Sequence, residues 1–124
     1  MNDDAVRELS AKARIIQESV PGKQISLAHI IANPDEELLK KLSVKTPPGE
    51  NSAIGILTVT PGEAAIIAGD IAIKASGVKI AVMDITEGTL VFYGTVSQAE
   101  AALSAITEYT DTRLGFSVCD ITKT

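Results

Sequence analysis

Three apolar runs along this chain end in the same kind of polar break. The run 25–32 leads into Asn33-Pro34-Asp35-Glu36, the run 54–59 into Thr60-Pro61-Gly62-Glu63, and the run 90–96 into Ser97-Gln98-Ala99-Glu100. Each break sets a capping residue at the end of a β-like run and a Glu three positions later, the spacing of a reciprocal helix cap. Two of the three also put Pro first in the helix, where its missing N–H costs nothing. The pattern predicts strands over 24–31, 53–60, 78–85, 89–96 and 116–122, and helices over 34–42, 61–76 and 98–112. Thr86-Glu87-Gly88 is a short turn, so the strands on either side of it form a hairpin. Val44 to Asn51, with Pro47-Pro48-Gly49, reads as a loop between units.

The helix over 61–76 departs from the usual amphipathic pattern. Ala65-Ile66-Ile67-Ala68-Gly69-Asp70-Ile71-Ala72-Ile73-Lys74 offers almost no polar face beyond Asp70 and Lys74. Such a helix is buried on several sides or covered by another molecule. Its Ala and Gly positions permit close approach of a neighbouring backbone. The helix over 98–112 is ordinary by comparison, with Ala99, Leu103, Ile106 and Tyr109/Thr110 in one stripe.

Composition narrows the class. The 124 residues suffice for one domain with a core. Only 3% are aromatic and Trp is absent, so Ile, Val, Leu and Ala must build that core. The net charge of −5 argues against a nucleic-acid partner, which would need a basic patch. No apolar run nears the roughly 20 residues of a membrane span, and the acidic start does not read as a signal peptide. The chain divides into a charged arm over 1–14, an isolated β-like run Ile15-Ile16-Gln17-Glu18-Ser19-Val20 within 15–22, and a domain over 23–124.

The search for chemistry is short. His29 is the lone histidine and lies inside a strand, where a satisfied structural role is the usual one. Cys119 is the lone cysteine and has no base nearby in sequence. No cluster has metal-ligand spacing, so no metal and no cofactor are predicted. Asp70 reads as the i,i+4 partner of Lys74. Glu63 would repel a phosphate at the helix start behind Pro61-Gly62. An α/β (α+β) domain with excess apolar surface and no catalytic set points to assembly.

Five stretches carry a resemblance: Val20-Pro21-Gly22-Lys23-Gln24, Leu27-Ala28-His29-Ile30-Ile31-Ala32-Asn33-Pro34, Ala53-Ile54-Gly55-Ile56-Leu57-Thr58-Val59-Thr60-Pro61, Ile67-Ala68-Gly69-Asp70-Ile71-Ala72-Ile73-Lys74 and Cys119-Asp120-Ile121-Thr122-Lys123-Thr124. In this order they resemble the circularly permuted shell proteins (BMC domain) of bacterial microcompartments of the ethanolamine- and propanediol-utilisation types. The resemblance implies a four-stranded antiparallel sheet with flanking helices. It implies a homohexameric tile in a cytoplasmic shell, with itself, other shell proteins and lumen enzymes as partners. The segment Ile15 to Val20 matches the added strand of the permuted relatives, six of which form a β-barrel over the axis. The turn Asp84-Ile85-Thr86-Glu87-Gly88 matches the loop lining the central pore. Lys74 matches the lysine at the hexamer edge. Many unpermuted relatives carry an arginine where this chain has Asn33, so that inter-tile contact is weaker here. Cys119 lies outside the pore loop, so the family's iron–sulfur variants do not carry over. Two other readings compete: an oligomeric small-molecule-binding regulatory module with its ligand near His29, and an enzyme using Asp70 and His29.

Overall fold

The computed structural model describes residues 22–44 and 51–124. The predicted barrel strand, Ile15 to Val20, and the 1–14 arm lie outside the described residues. In chain order the elements are β1 (Gln24–Ala32), α1 (Glu36–Lys41), β2 (Ser52–Thr60), α2 (Ala64–Ser76), β3 (Lys79–Asp84), β4 (Thr89–Thr95), α3 (Val96–Leu114), β5 (Ser117–Val118) and β6 (Thr122–Lys123).

The sheet runs β3-β4-β2-β1, with β5 and β6 both on the outer edge of β1. The first four strands are antiparallel. The expected four-stranded sheet is therefore present but incomplete: β5 and β6 extend it to six strands, and both run parallel to β1. The single strand expected over 116–122 is these two short pieces. Val118 pairs with Ile25 and Thr122 with His29, so the register is the same before and after the gap. The gap faces an irregularity in β1, where Ile25 and Leu27 pair with the consecutive residues Val59 and Thr58. An extra residue there, Ser26, kinks the strand and interrupts the ladder on its other side.

One sheet face packs on α2 and α3. Ile25, Ala28, Ile30, Ala53, Leu57, Val59, Leu90 and Phe92 meet Ala65, Ala68 and Ala72 of α2 and Ala99, Leu103 and Ile106 of α3. Phe92 is the one aromatic side chain fully inside, and it needs Gly55: a Cβ on Gly55 would lie 2.3 Å from the ring. Thr110, not Tyr109, completes the buried stripe of α3, its hydroxyl donating to Ile106 O at 2.7 Å. The opposite face is covered more thinly, by Leu39 of α1 and Val44 over Ile54 and Val91.

The helices start near the predicted places, but the caps differ. Asp35, not Asn33, caps α1, accepting from Glu37 N at 2.9 Å. Asn33 instead turns the chain at φ 50°, a left-handed conformation that Asn tolerates better than most residues. Pro61 does not open α2. It lies in a turn over 61–63, and α2 begins at Ala64 without a side-chain cap. The cap of α3 is a reciprocal box, made by Thr95 and Gln98 two residues before the expected Ser97 and Glu100.

Candidate functional site

The sequence marks α2 as unusual, and its packing is inverted. Its small residues Ala64, Ala65, Ala68, Gly69 and Ala72 face inward, and three of its four isoleucines face out, Ile71 alone packing against the core. Ile66 is 52% exposed, Ile67 45% and Ile73 49%. By the helical period these flank a surface ion pair, Lys74 Nζ to Asp70 Oδ2 at 2.8 Å. The hydrogen bond that Lys74 donates to Asp70, and then the charge of that carboxylate, raise the pKa of the Lys74 ammonium above its ordinary value.

The loop 84–88 lies against the other end of α2. Asp84 accepts through Oδ1 from Thr86 N at 3.0 Å and Glu87 N at 3.1 Å, so its carboxylate is tied into the turn. Gly88 N donates to Asp84 O, and Gly88 O accepts from Val59 N, each at 2.8 Å. Two glycines let the loop seat. A Cβ on Gly62 would stand 1.9 Å from Ile85 O, and one on Gly88 would stand 1.9 Å from Val59 O. Ile85, Thr86 and Glu87 remain exposed at the tip. Lys74 lies ten positions beyond Ala64, the first residue of α2, so the loop and Lys74 are separated by about 15 Å along the helix at 1.5 Å per residue.

The chain enters the sheet at the loop's end of the molecule. Gln24 pairs with Thr60, which leads into the Pro61-Gly62 turn beneath the loop. Gln24, at the start of β1, therefore lies at the loop's end of the sheet.

His29 is fully engaged by its own chain. Nδ1 lies 2.6 Å from Thr122 Oγ1 and Nε2 lies 2.9 Å from Thr124 Oγ1. No ring nitrogen is left to receive a ligand, and nothing supports the regulatory alternative. Asp70 and His29 do not meet: Asp70 is on the outer side of α2, whereas Ala28 and Ile30 alone of this stretch face the helices, which turns His29 to the opposite sheet face. Cys119 is half-buried. Among the described residues no group of His, Cys, Asp and Glu could hold a metal ion. Among them, too, no helix is long and apolar enough to cross a membrane.

Sequence reasoning missed both the glycine seat and the threonine clamp on His29. Neither glycine pattern announces that a carbonyl will lie where Cβ would be. The alternation Thr122-Lys123-Thr124 was the available signal for a strand with two hydroxyls on one side.

The BMC domain model matches residues 53–121, more than half of the chain. The chain is also 52% identical over 112 residues to the bacterial microcompartment shell protein EutS of Salmonella typhimurium, covering 90% of this chain and 97% of that one. This chain belongs to the BMC-domain shell-protein family. A second relative is the bacterial microcompartment shell protein PduU of the same organism, 50% identical over 111 residues, covering 90% of this chain and 93% of that protein. Among solved structures, the CutR flat hexamer superimposes with a TM-score of 0.77 at 46% identity, covering 90% of this chain and 99% of that chain. The family match starts at Ala53, after β1 and α1, yet β1 lies within the same sheet beside the strands that end the chain. That is the order of a permuted BMC shell protein.

Proposed function

We propose that this BMC-domain chain is a structural tile of a microcompartment shell, six copies around one axis, and not an enzyme. In this tile the 84–88 loop surrounds the axis and Lys74 lies at the rim, where tiles of this and other shell proteins meet. The observation that carries the reading is the placement of these two features at opposite ends of α2. A radial α2 serves both roles at once.

Three further features support it. Ile66, Ile67 and Ile73 give α2 an outer surface suited to cover by a neighbouring copy. The entry of the chain beside Thr60 delivers Ile15 to Val20 to the axial side, where six such strands close a small barrel over the opening. Because the turn consumes one oxygen of Asp84, Glu87 supplies the acidic ring. A ring of carboxylates favours cations and disfavours anions.

Native mass spectrometry of the full chain tests the assembly. A six-copy species is expected, and a monomer would overturn the tile. Single cysteines in a Cys119→Ser background test the placement. Glu87→Cys should crosslink copies within an isolated hexamer, and Lys74→Cys only between hexamers. The reverse pattern would overturn the radial arrangement. Deleting residues 1–20 should leave a hexamer, and loss of every oligomer would contradict the barrel's place above it.

A further inference from the structure

The end of α2 that carries Lys74 meets the start of α3. Ile73, Lys74 and Ala75 are exposed, and Ser76, the last residue of the helix, is half-buried. Two hydrogen bonds join Ser76 to Gln98. Ser76 Oγ donates to Gln98 O at 2.9 Å, and Gln98 Nε2 donates to Ser76 O at 3.1 Å. The same carboxamide also closes the cap of α3, where its Oε1 accepts from Thr95 N at 2.9 Å. One side chain therefore satisfies a leftover donor at the start of α3 and a leftover acceptor at the end of α2.

That double duty selects the residue type. A reciprocal helix cap takes Glu or Gln alike at this position. Ser76 O needs a donor, and an ionised Glu has none. Gln supplies the acceptor and the donor from one planar group. Gly94 leaves room for that group. A Cβ on Gly94 would stand 2.6 Å from Gln98 Oε1, and its next contacts, Gln98 Cβ and Val78 Cγ1, would be at 3.4 Å. Beyond Ser76 the helix ends, because Gly77, at φ 70°, turns the chain away. Lys74 lies two residues before the point that Gln98 holds.

We propose that Gln98 is a positioning residue for the tile rim. By holding Ser76 it fixes the last turn of α2, and with it the direction in which Lys74 leaves the helix. The inference rests on the reading of Lys74 as a rim residue.

Two variants of the full chain separate this role from capping. Gln98→Glu keeps an acceptor for Thr95 N and loses the donor to Ser76 O. Thr95→Ala keeps Gln98 and removes the hydroxyl that accepts from Gln98 N. Native mass spectrometry follows the hexamer, and light scattering follows tile-to-tile growth at equal hexamer concentration. Deuterium exchange follows the Gly77 amide, which bonds to Ile73 O at 2.8 Å. Gln98→Glu should leave the hexamer intact, speed Gly77 exchange about fivefold, the effect of one ordinary hydrogen bond, and slow tile-to-tile growth by a similar factor. Thr95→Ala should lower the unfolding temperature yet leave both Gly77 exchange and growth as they are. Unchanged Gly77 exchange in Gln98→Glu would show that the contact holds nothing. Faster exchange with undiminished growth would make Gln98 a structural tie only and overturn the positioning role.

Gly94→Ala gives a second route should Gln98→Glu fail to fold. Its Cβ meets the movable end of Gln98, so it should displace the carboxamide and reproduce both effects. In a Gln98→Ala background it should add nothing, because the group it displaces is already gone. A full further effect there would place its action elsewhere and count against Gln98. Lys74→Ala tests the rim separately. Growth lost in Lys74→Ala but kept in Gln98→Glu would remove the positioning role and leave the rim standing. Growth kept in Lys74→Ala would remove the rim, and the positioning role with it.

Discussion

Gly62 lies so close to Ile85 that a Cβ on it would come within 1.9 Å of the Ile85 carbonyl oxygen. Gly88 stands in the same relation to Val59 O, and a Cβ on it would also come within 3.3 Å of the Cα of Gly62. The loop proposed for the tile's centre is thus seated by two missing side chains that touch one another. Backbone atoms are the neighbours, so no side-chain rotation can make room. The loop is therefore held as a fixed turn.

Gly62→Ala and Gly88→Ala should each destabilise the fold by about 1–3 kcal/mol, the range for forcing atoms into a packed site. Gly88→Ala should cost more, because its φ of 72° adds backbone strain. The double variant should cost less than the two single costs together, since either substitution already unseats the loop. Denaturant titration measures all three. Full additivity would show that the two positions act independently.

Gly55 and Gly77 make a sharper contrast. Gly55→Ala puts a Cβ 2.3 Å from the Phe92 ring, whereas Gly77, at φ 70°, has nothing within 4 Å. The first should cost about 3 kcal/mol and the second about 1 kcal/mol. Adding Phe92→Leu to Gly55→Ala should recover part of the loss, because the smaller side chain vacates the site. No recovery would mean that the strand itself, and not the ring, rejects the Cβ.

The cap of α3 can be tested by two threonine- and serine-to-alanine changes. Thr95→Ala removes an oxygen that accepts from Gln98 N at 3.1 Å, and should cost about 1 kcal/mol. Ser97→Ala should stay within about 0.5 kcal/mol, as surface substitutions do. Thermal unfolding distinguishes them. Equal losses would place the cap at the residue suggested by sequence.

That difference shows what sequence pattern resolves here. The alternation of apolar runs and polar breaks located the long strands and all three helices, because both periods are set by burial on a common face. It misplaced two caps by two residues, taking Asn33 for Asp35 and Ser97 for Thr95, and expected a cap at Thr60 for a helix that has no side-chain cap. It merged the two parallel strands into one over 116–122, because Ser117–Val118 and Thr122–Lys123 are too short for any period to separate them. The loop and Lys74 were legible only through family resemblance. Their relation through α2 needed coordinates, and so did the inverted packing that leaves Ile66, Ile67 and Ile73 outside.

His29→Ala should loosen the tail without loosening the sheet. It removes two hydroxyl contacts from Thr122 and Thr124, worth together about 1–3 kcal/mol. The amides of Ala32 and Thr124, which bond across the β1 edge, should then exchange faster with solvent deuterium. Amides between β2 and β4 should be unchanged. Uniform acceleration across the sheet would mean that His29 supports the whole fold and not only its final strand.

Lys74→Ala and Lys74→Asp should abolish tile-to-tile sheets and leave the hexamer intact. The lysine is charged, exposed and held by Asp70 at 2.8 Å, so its removal touches no core residue. The pH dependence follows from the same pair. Asp70 holds the ammonium above its ordinary value of 10.5. A group whose pKa is raised on folding contributes fully below its unfolded value and loses that contribution only as pH climbs through the folded one. Sheet formation should therefore not vary through Lys74 between neutral pH and about pH 9, well below the ordinary lysine range. It should decline only in strong alkali. Asp70→Asn should bring that decline to lower pH, because the acceptor charge that favours the ammonium is gone. Light scattering follows sheet growth, and native mass spectrometry follows the hexamer in the same samples. Dissolution of the hexamer by Lys74→Ala would place this lysine inside the ring and not at its rim.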